Sequence, residues 1–253
     1  MLVLRRSTIL PDKRKHRGPH PEDVRLFAEL NIPSLRMAVW DLSWLLTRGY
    51  AITSASKIVG DRYALNRRQR IAVTRCACSD QAKGLREDKQ IARNDCRGQD
   101  IWIDGFNILT CVEAALSGGV ILVSRDGAYR DMASMHGNYR RVTETQQAIE
   151  LIGHQLAETP TGNIRWLLDT PVSNSGRLKA HVAEVAESNG WAWDIQLVPD
   201  PDVVLSTSDA VAASSDSQIL DRCRKWFSLS AKVIQNSIPD AWIIDLSDEQ
   251  DRG

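Results

Sequence analysis

The chain has 253 residues, 43% hydrophobic and 25% charged, enough apolar surface for one small and one medium folded unit. Its apolar runs, such as Gly119 to Val123, are too short to span a bilayer, and no apolar stretch follows the early arginines as a secretory signal would. Five cysteines, an odd number without an export signal, argue against a disulfide framework and set a cytoplasmic expectation.

The zero net charge hides a split. Residues 1–98 hold 20 Lys and Arg against 10 Asp and Glu, and the remainder holds 12 against 22, so a +10 part precedes a −10 part. Two readings follow: a basic partner-binding module joined to an acidic one, or opposite charges that help two parts of one chain dock. Residues 1–20 carry Arg5, Arg6, Lys13, Arg14, Lys15 and Arg17 with two prolines and no periodicity, and read as a flexible basic arm. From 21 to 98 the pattern is that of a small basic all-α domain. Leu35, Ala38, Val39, Leu42, Leu45 and Leu46 recur at helical steps and Gly49 stops them. Thr53 or Ser54 can cap a second helix, and Asn66 a third. Residues 81–98 read as an exposed helix or a linker. Cys76 and Cys78 are one residue apart, which is not zinc spacing, although Cys96 could join them. Free buried thiols are the simpler reading.

At Ile101 the period changes. Short apolar runs at Ile101 to Ile103, Val120 to Val123, Ile164 to Leu168, Ala192 to Val198, Val211 to Ala213 and Ala241 to Ile244 alternate with helical segments. One of these helices is expected from Thr143 to Leu156. The alternation predicts that residues 99–253 form a three-layer α/β domain on an open, mostly parallel sheet.

Ligands of such sheets bind beyond the carboxyl ends of the strands. Asp104, Asp126, Asp169 and Asp216 follow apolar runs there. Each alone could simply cap a helix. Together they would repel, and a hard cation such as Mg²⁺ or Mn²⁺ relieves that repulsion. Such a cation activates water and offsets charge on a phosphoryl group.

The stretch Ile103-Asp104-Gly105-Phe106-Asn107-Ile108-Leu109 resembles the opening strand and turn of PIN/NYN-type nuclease domains. Asp209 to Asp216 resembles their late strand, with its Ser-x-Asp ending. The resemblance implies a PIN-like sheet, Asp104 and Asp216 as metal ligands and Asn107 as a supporting residue. By order along the chain, Asp169 and Asp202 join the ligand set, and Asp169 the catalytic set. The only acidic residue of the early helix is Glu113. The whole chain also resembles a prokaryotic pair of domains of unknown function, through Ser43-Trp44-Leu45-Leu46, Val59-Gly60-Asp61-Arg62-Tyr63 and Arg67-Arg68-Gln69-Arg70.

Three further segments are candidates for substrate contact. The 124–141 segment, with Arg125, Arg130 and His136, reads as a long loop able to line a cleft. Ser173, Asn174 and Ser175 precede a helix and could cradle a phosphate or merely cap it. Ser54 to Ala72 has helix-turn-helix proportions, with Lys57, Arg62, Arg67, Arg68 and Arg70 suited to phosphate contact. The expected partner is nucleic acid, RNA first, with no membrane, and self-association stays open. No Gly-x-Gly-x-x-Gly, Walker A loop or Gly-x-Ser-x-Gly elbow is present, and Phe106 stands where a haloacid-type phosphatase needs its second Asp. Two classes survive: a metal-dependent ribonuclease, or a non-catalytic nucleic-acid-binding or regulatory protein that kept the fold.

Overall fold

A computed structural model of the chain describes residues 16–132 and 139–247. Its first part is helical: α1 (Asp23–Leu26), α2 (Ile32–Thr47), α3 (Ile52–Arg62), α4 (Arg67–Cys76) and α5 (Asp80–Lys89). Leu35, Ala38, Val39 and Leu42 of α2 are the buried stripe that the spacing predicts. Asn66 caps α4 by accepting from the Arg68 and Gln69 N–H groups, while the Gln69 side chain accepts from the Asn66 N–H, a full capping box. Neither Thr53 nor Ser54 caps α3, which starts after Ala51. The segment expected as an exposed helix or linker contains α5, and this helix is docked. Its Arg86 is buried and donates to Asp126 (2.6 Å) and Asp221 (2.7 Å).

The second part runs β1 (Ile101–Asp104), α6 (Gly105–Leu116), β2 (Ile121–Val123), β3 (Tyr129–Asp131), α7 (Thr145–Ala157), β4 (Ile164–Asp169), α8 (Ser175–Ser188), β5 (Trp193–Val198), α9 (Pro201–Thr207), β6 (Val211–Ala213), α10 (Ser217–Arg222), β7 (Lys225–Trp226), α11 (Leu229–Ser237) and β8 (Ile243–Asp245). The main sheet has the order β5-β4-β1-β6-β7, and its pairs are all parallel. Side chains alternate across it, as a strand period of two requires. Ile101, Ile103, Trp166, Leu168, Val211 and Ala213 enter the core on the α6, α7, α8 and α11 side. Trp102, Leu167, Ala212 and Trp226 enter a second core with Leu205 of α9 and Ile219 and Leu220 of α10. Both faces are covered, which gives the three layers expected.

Two of the expected strands lie elsewhere. β2 and β8 form, with β3, a second sheet of order β3-β2-β8. The cause is what they cover. Leu122, Ile244 and Leu246 pack with Leu35, Leu42 and Val59 of the helical part, while Ile121 faces the α6 side. The helices therefore close their core on this small sheet. β3 also replaces part of the long loop expected over 124–141. α7 begins at Thr145, two residues after the expected Thr143.

Residues 16–20 are docked rather than a free arm, and 1–15 lie outside the described residues. Arg17 pairs with Glu113, which is fully buried and also accepts from Tyr139 Oη (2.6 Å) and Thr145 Oγ1 (2.5 Å). Glu113 is thus committed to this internal network. Among the described residues, no helix is long and apolar enough to cross a membrane.

Candidate metal centre at the acidic sheet edge

In the order β5-β4-β1-β6-β7 the chain leaves β1 towards β4 and later leaves β6 towards β7. The crevice between the carboxyl ends of β1 and β6 is therefore the switch point of the sheet, where ligands of such folds bind. Asp104 ends β1 there, and Ser214, Ser215 and Asp216 follow β6. Asp169 ends β4, and Asp200 and Asp202 follow β5 on the same edge.

The β1–α6 turn depends on Gly105. A Cβ on Gly105 would lie 2.8 Å from the Leu167 carbonyl oxygen and 2.6 Å from Leu168 Cδ2. Glycine alone lets α6 start directly beside β4, which holds Asp104 at the edge. Gly105→Ala is expected to cost about 1–3 kcal/mol in a urea unfolding experiment, because a backbone atom cannot yield as a side chain can. A neutral result would show that the turn is looser than described.

Polar contacts tie the two strand ends together. Ser214 Oγ donates to Asp104 Oδ2 (2.8 Å) and accepts from the Asp216 N–H (3.0 Å). Asn107, one helical turn after Asp104, accepts at Oδ1 from the N–H and hydroxyl of Ser215 (2.8 and 2.9 Å). That bonding turns its amide nitrogen away from Ser215. Asp216 also accepts from the Gln218 N–H (2.7 Å), so it caps α10 as well as facing the site. Asp200 caps α9 through the Asp202 and Val203 N–H groups (3.0 and 3.3 Å).

Burial pushes the Asp104 carboxyl up to about 7, the hydrogen bond from Ser214 opposes this, and the charges of Asp202, Asp216 and Asp169 add to the rise. Asp202 is raised to about 6 by burial, then by Asp216, Asp200 and Asp169, with Arg222 opposing. Burial and the charge of Asp200 raise Asp169. Asp169, Asp202 and Asp216 therefore lie close enough for their charges to act on Asp104. Asp200 is a fifth member, not named from the sequence, whose charge acts on Asp169 and Asp202. The run Pro199-Asp200-Pro201-Asp202 after β5 was its only signal. Oxygen donors alone, without His or Cys, suit Mg²⁺ or Mn²⁺. Among the described residues, no group of three or more His, Cys, Asp or Glu side chains is placed to hold a metal ion by itself. Mg²⁺ tolerates such a site, since it keeps waters and takes one or two carboxylates plus substrate phosphate.

Beside the edge lies a cleft of about 300 Å³ lined by Asn107, Arg130, Asp131, Ser215, Asp216 and Ser217, and by Thr74 and Arg75 of α4. Asp126 is not at this edge, since β2 belongs to the second sheet. It is buried between Arg130 (2.7 Å) and Arg86 (2.6 Å). Arg130 Nε in turn donates to the Ser215 carbonyl (2.9 Å). The buried Arg86–Asp126–Arg130 chain thus fixes the Ser214 to Asp216 loop from behind, a positioning role that spacing alone does not reveal.

A family model described as "Domain of unknown function (DUF5616)" matches residues 93–232. The chain belongs to this family. Residues 34–89 match a second model, "Protein of unknown function (DUF434)". The uncharacterized protein MJ0935 of Methanocaldococcus jannaschii is 30% identical over 187 residues, covering 74% of this chain and 89% of that protein. No solved structure matches the chain. The family's matched region contains the whole acidic edge, from Asp104 to Asp216, and the second region supplies Thr74 and Arg75.

The other expected contact residues divide. Arg130 lines the cleft, but its guanidinium is held by Asp126. Arg125 is buried and bound to Asp80 (2.7 Å) and the Cys78 carbonyl (3.0 Å), so it fastens α5 rather than meeting a substrate. His136 lies outside the described residues. Ser175 is buried and its hydroxyl donates to the Asp169 and Val172 carbonyls, which removes it from a phosphate cradle. Asn174 has φ 70° and its amide donates to the Tyr139 carbonyl (2.9 Å), and Ser173 is exposed beside it. All five cysteines are free and buried, and burial pushes Cys76 up to about 12 and Cys78 and Cys96 to about 11, which disfavours thiolate chemistry.

Proposed function

We propose that the protein is a metal-dependent nuclease acting on RNA, with its centre at the carboxyl edge of the parallel sheet. The observation that carries this reading is that Asp104 ends β1 and Ser214 to Asp216 follow β6 at the strand switch point, where the Ser214 hydroxyl bonds both Asp104 and the Asp216 N–H, with Asp169 and Asp202 on the same sheet edge. The resemblance of Ile103-Asp104-Gly105-Phe106-Asn107 to PIN/NYN domains supports it, since that Asp stands at the end of the central strand.

Asp104 and Asp216 would hold the ion, with Asp202 or Asp169 beside them. A bound divalent cation supplies a lowered pKa for water and charge neutralisation at phosphate. Ser214 orients Asp104 through its hydroxyl. Asn107 fixes the Ser215 backbone, next in the chain to Asp216. Arg75 in the cleft wall, 3.8 Å from the Asp131 carboxylate, would turn positive charge towards an incoming phosphate.

The test is a cleavage assay on labelled single-stranded and structured RNA with Mn²⁺, repeated in EDTA and after Mn²⁺ is restored. Reversible, cation-dependent cleavage is expected. Absence of cleavage on both RNAs, with nucleic-acid binding retained, selects the non-catalytic alternative. A stability measurement accompanies it. In EDTA, Asp104→Asn should melt at a higher temperature than the natural protein, because it removes one like charge from a buried acidic group. Mn²⁺ should raise the melting temperature of the natural protein and not that of the variant. The opposite ranking in EDTA would remove the argument from charge repulsion.

A further inference from the structure

The 300 Å³ cleft at the acidic edge is not closed by the α/β part. Thr74 and Arg75 of α4 form its wall. The same two residues also line a second, larger cleft of about 630 Å³, which continues over Ser56 and Lys57 of α3 and Arg67, Arg70 and Ile71 of α4. The two clefts thus meet at Thr74 and Arg75. Along the larger one, all the charged lining residues are cationic, with two hydroxyls and one apolar side chain between them.

The cations of the helical part are not alike. Arg68 is bound to Asp23 (2.6 Å), Arg70 to Asp61 (2.7 Å), and Arg62 stands 3.4 Å from Asp41. Lys57 and Arg67 are exposed, and no carboxylate among the described residues pairs with either. Two uncompensated cations therefore flank a concave strip that ends at the acidic site. Arg75 is held at the junction by the Asp131 carbonyl and stands 3.8 Å from the Asp131 carboxylate, so it is a fixed, partly compensated cation where the strip turns into the site.

We infer that this strip is the track along which a single-stranded nucleic acid reaches the acidic edge, its phosphates on Lys57, Arg67 and Arg75. A strand combines regularly spaced anions with apolar base and sugar faces, which matches cations interleaved with Ile71, Ser56 and Thr74. Single-strand binding uses such a positively charged groove that tracks one backbone. The proposal rests on the nuclease reading for the purpose of the track, but binding can be measured without cleavage.

The experiment uses the full chain carrying Asp104→Asn, in EDTA, with a fluorescein-labelled 16-nucleotide oligouridine followed by anisotropy from 50 to 400 mM KCl. Each phosphate contact contributes about 0.7 to the slope of log affinity against log salt for a single strand. Adding Lys57→Ala and Arg67→Ala should lower that slope by about 1.4 and weaken binding roughly 25-fold at 0.1 M salt. Both positions are exposed, and a melting curve verifies folding. An unchanged slope and affinity overturns the track. A duplex of the same length binding as tightly as the single strand overturns its single-stranded character. Photocrosslinking with a 4-thiouridine 16-mer gives the independent readout. Crosslinks within residues 56–75 support the track, whereas crosslinks confined to the separate cleft of Arg140, Arg141 and Arg177 refute it. If the double substitution weakens binding but the natural protein cleaves nothing, the track stands and only the nuclease reading falls.

Discussion

Replacing Asp104 with asparagine is expected to lower Mn²⁺-dependent RNA cleavage by on the order of 100-fold or more while leaving the fold intact. Asparagine keeps the size of the side chain, and its oxygen can still accept the 2.8 Å hydrogen bond from Ser214. What disappears is one of the charges a divalent ion requires, at the only member of the acidic group that sits on the central strand and is nearly sealed from water, with 6% exposure. A 100-fold loss corresponds to about 2.7 kcal/mol of transition-state stabilisation. Asp216→Asn should lose comparable activity, and it also weakens the cap on α10 only slightly, since asparagine caps nearly as well. Circular dichroism separates the two effects. If Asp104→Asn cleaves as fast as the natural protein, the activity belongs to another site or to a contaminant.

Asp126→Ala is expected to cost about 3–5 kcal/mol in stability, a larger effect than any surface change. Its carboxylate is 1% exposed and lies between two arginines that are themselves 5% and 8% exposed. Removing it leaves the buried Arg130 without a carboxylate and Arg86 with Asp221 alone. Burial alone would raise the Asp126 carboxyl, but the charge and hydrogen bonds of Arg130, the Ser124 hydroxyl and the charge of Arg86 outweigh it and hold it well below the usual carboxylate range. A folded pKa below the unfolded value of about 3.9 means that this contribution is complete above about pH 5 and is lost as pH falls towards the folded value. The penalty of the substitution, read from urea curves, should therefore shrink in acid. Because Arg130 also holds the Ser215 carbonyl, cleavage should fall in parallel at neutral pH. A penalty below about 1 kcal/mol would mean that the arginines find other partners.

Much of the fold was legible in the sequence, since a buried parallel strand and an amphipathic helix write their periods directly. Val211 to Ala213 appears as predicted, and so does the buried stripe of α2. The capping box at Asn66 was legible because its chemistry is local. What was not legible depends on distant partners. β2 and β8 have the same apolar character as the main strands, and nothing within them says that they cover the helical part instead. Lys225 and Trp226 form too short a strand to show a period. At the site, Asp104, Asn107 and Asp216 could be named because strand ends and a short motif mark them. Arg125 and Ser175 looked like substrate residues, but burial and backbone carbonyls occupy them. Arg86 looked like helix surface, Asp126 like a strand-end carboxylate and Arg130 like a substrate residue, whereas the assembled fold makes them one buried chain behind the acidic loop.

Binding of a divalent cation by the carboxylates at the sheet edge can be read by titration with Mn²⁺ followed by electron paramagnetic resonance. One or two Mn²⁺ ions per chain should lose their free-ion signal in the natural protein, with at least one site lost in Asp104→Asn, and excess Mg²⁺ should displace them. Binding that is absent from the natural protein, or equal in the variant, would rule out a metal centre at Asp104.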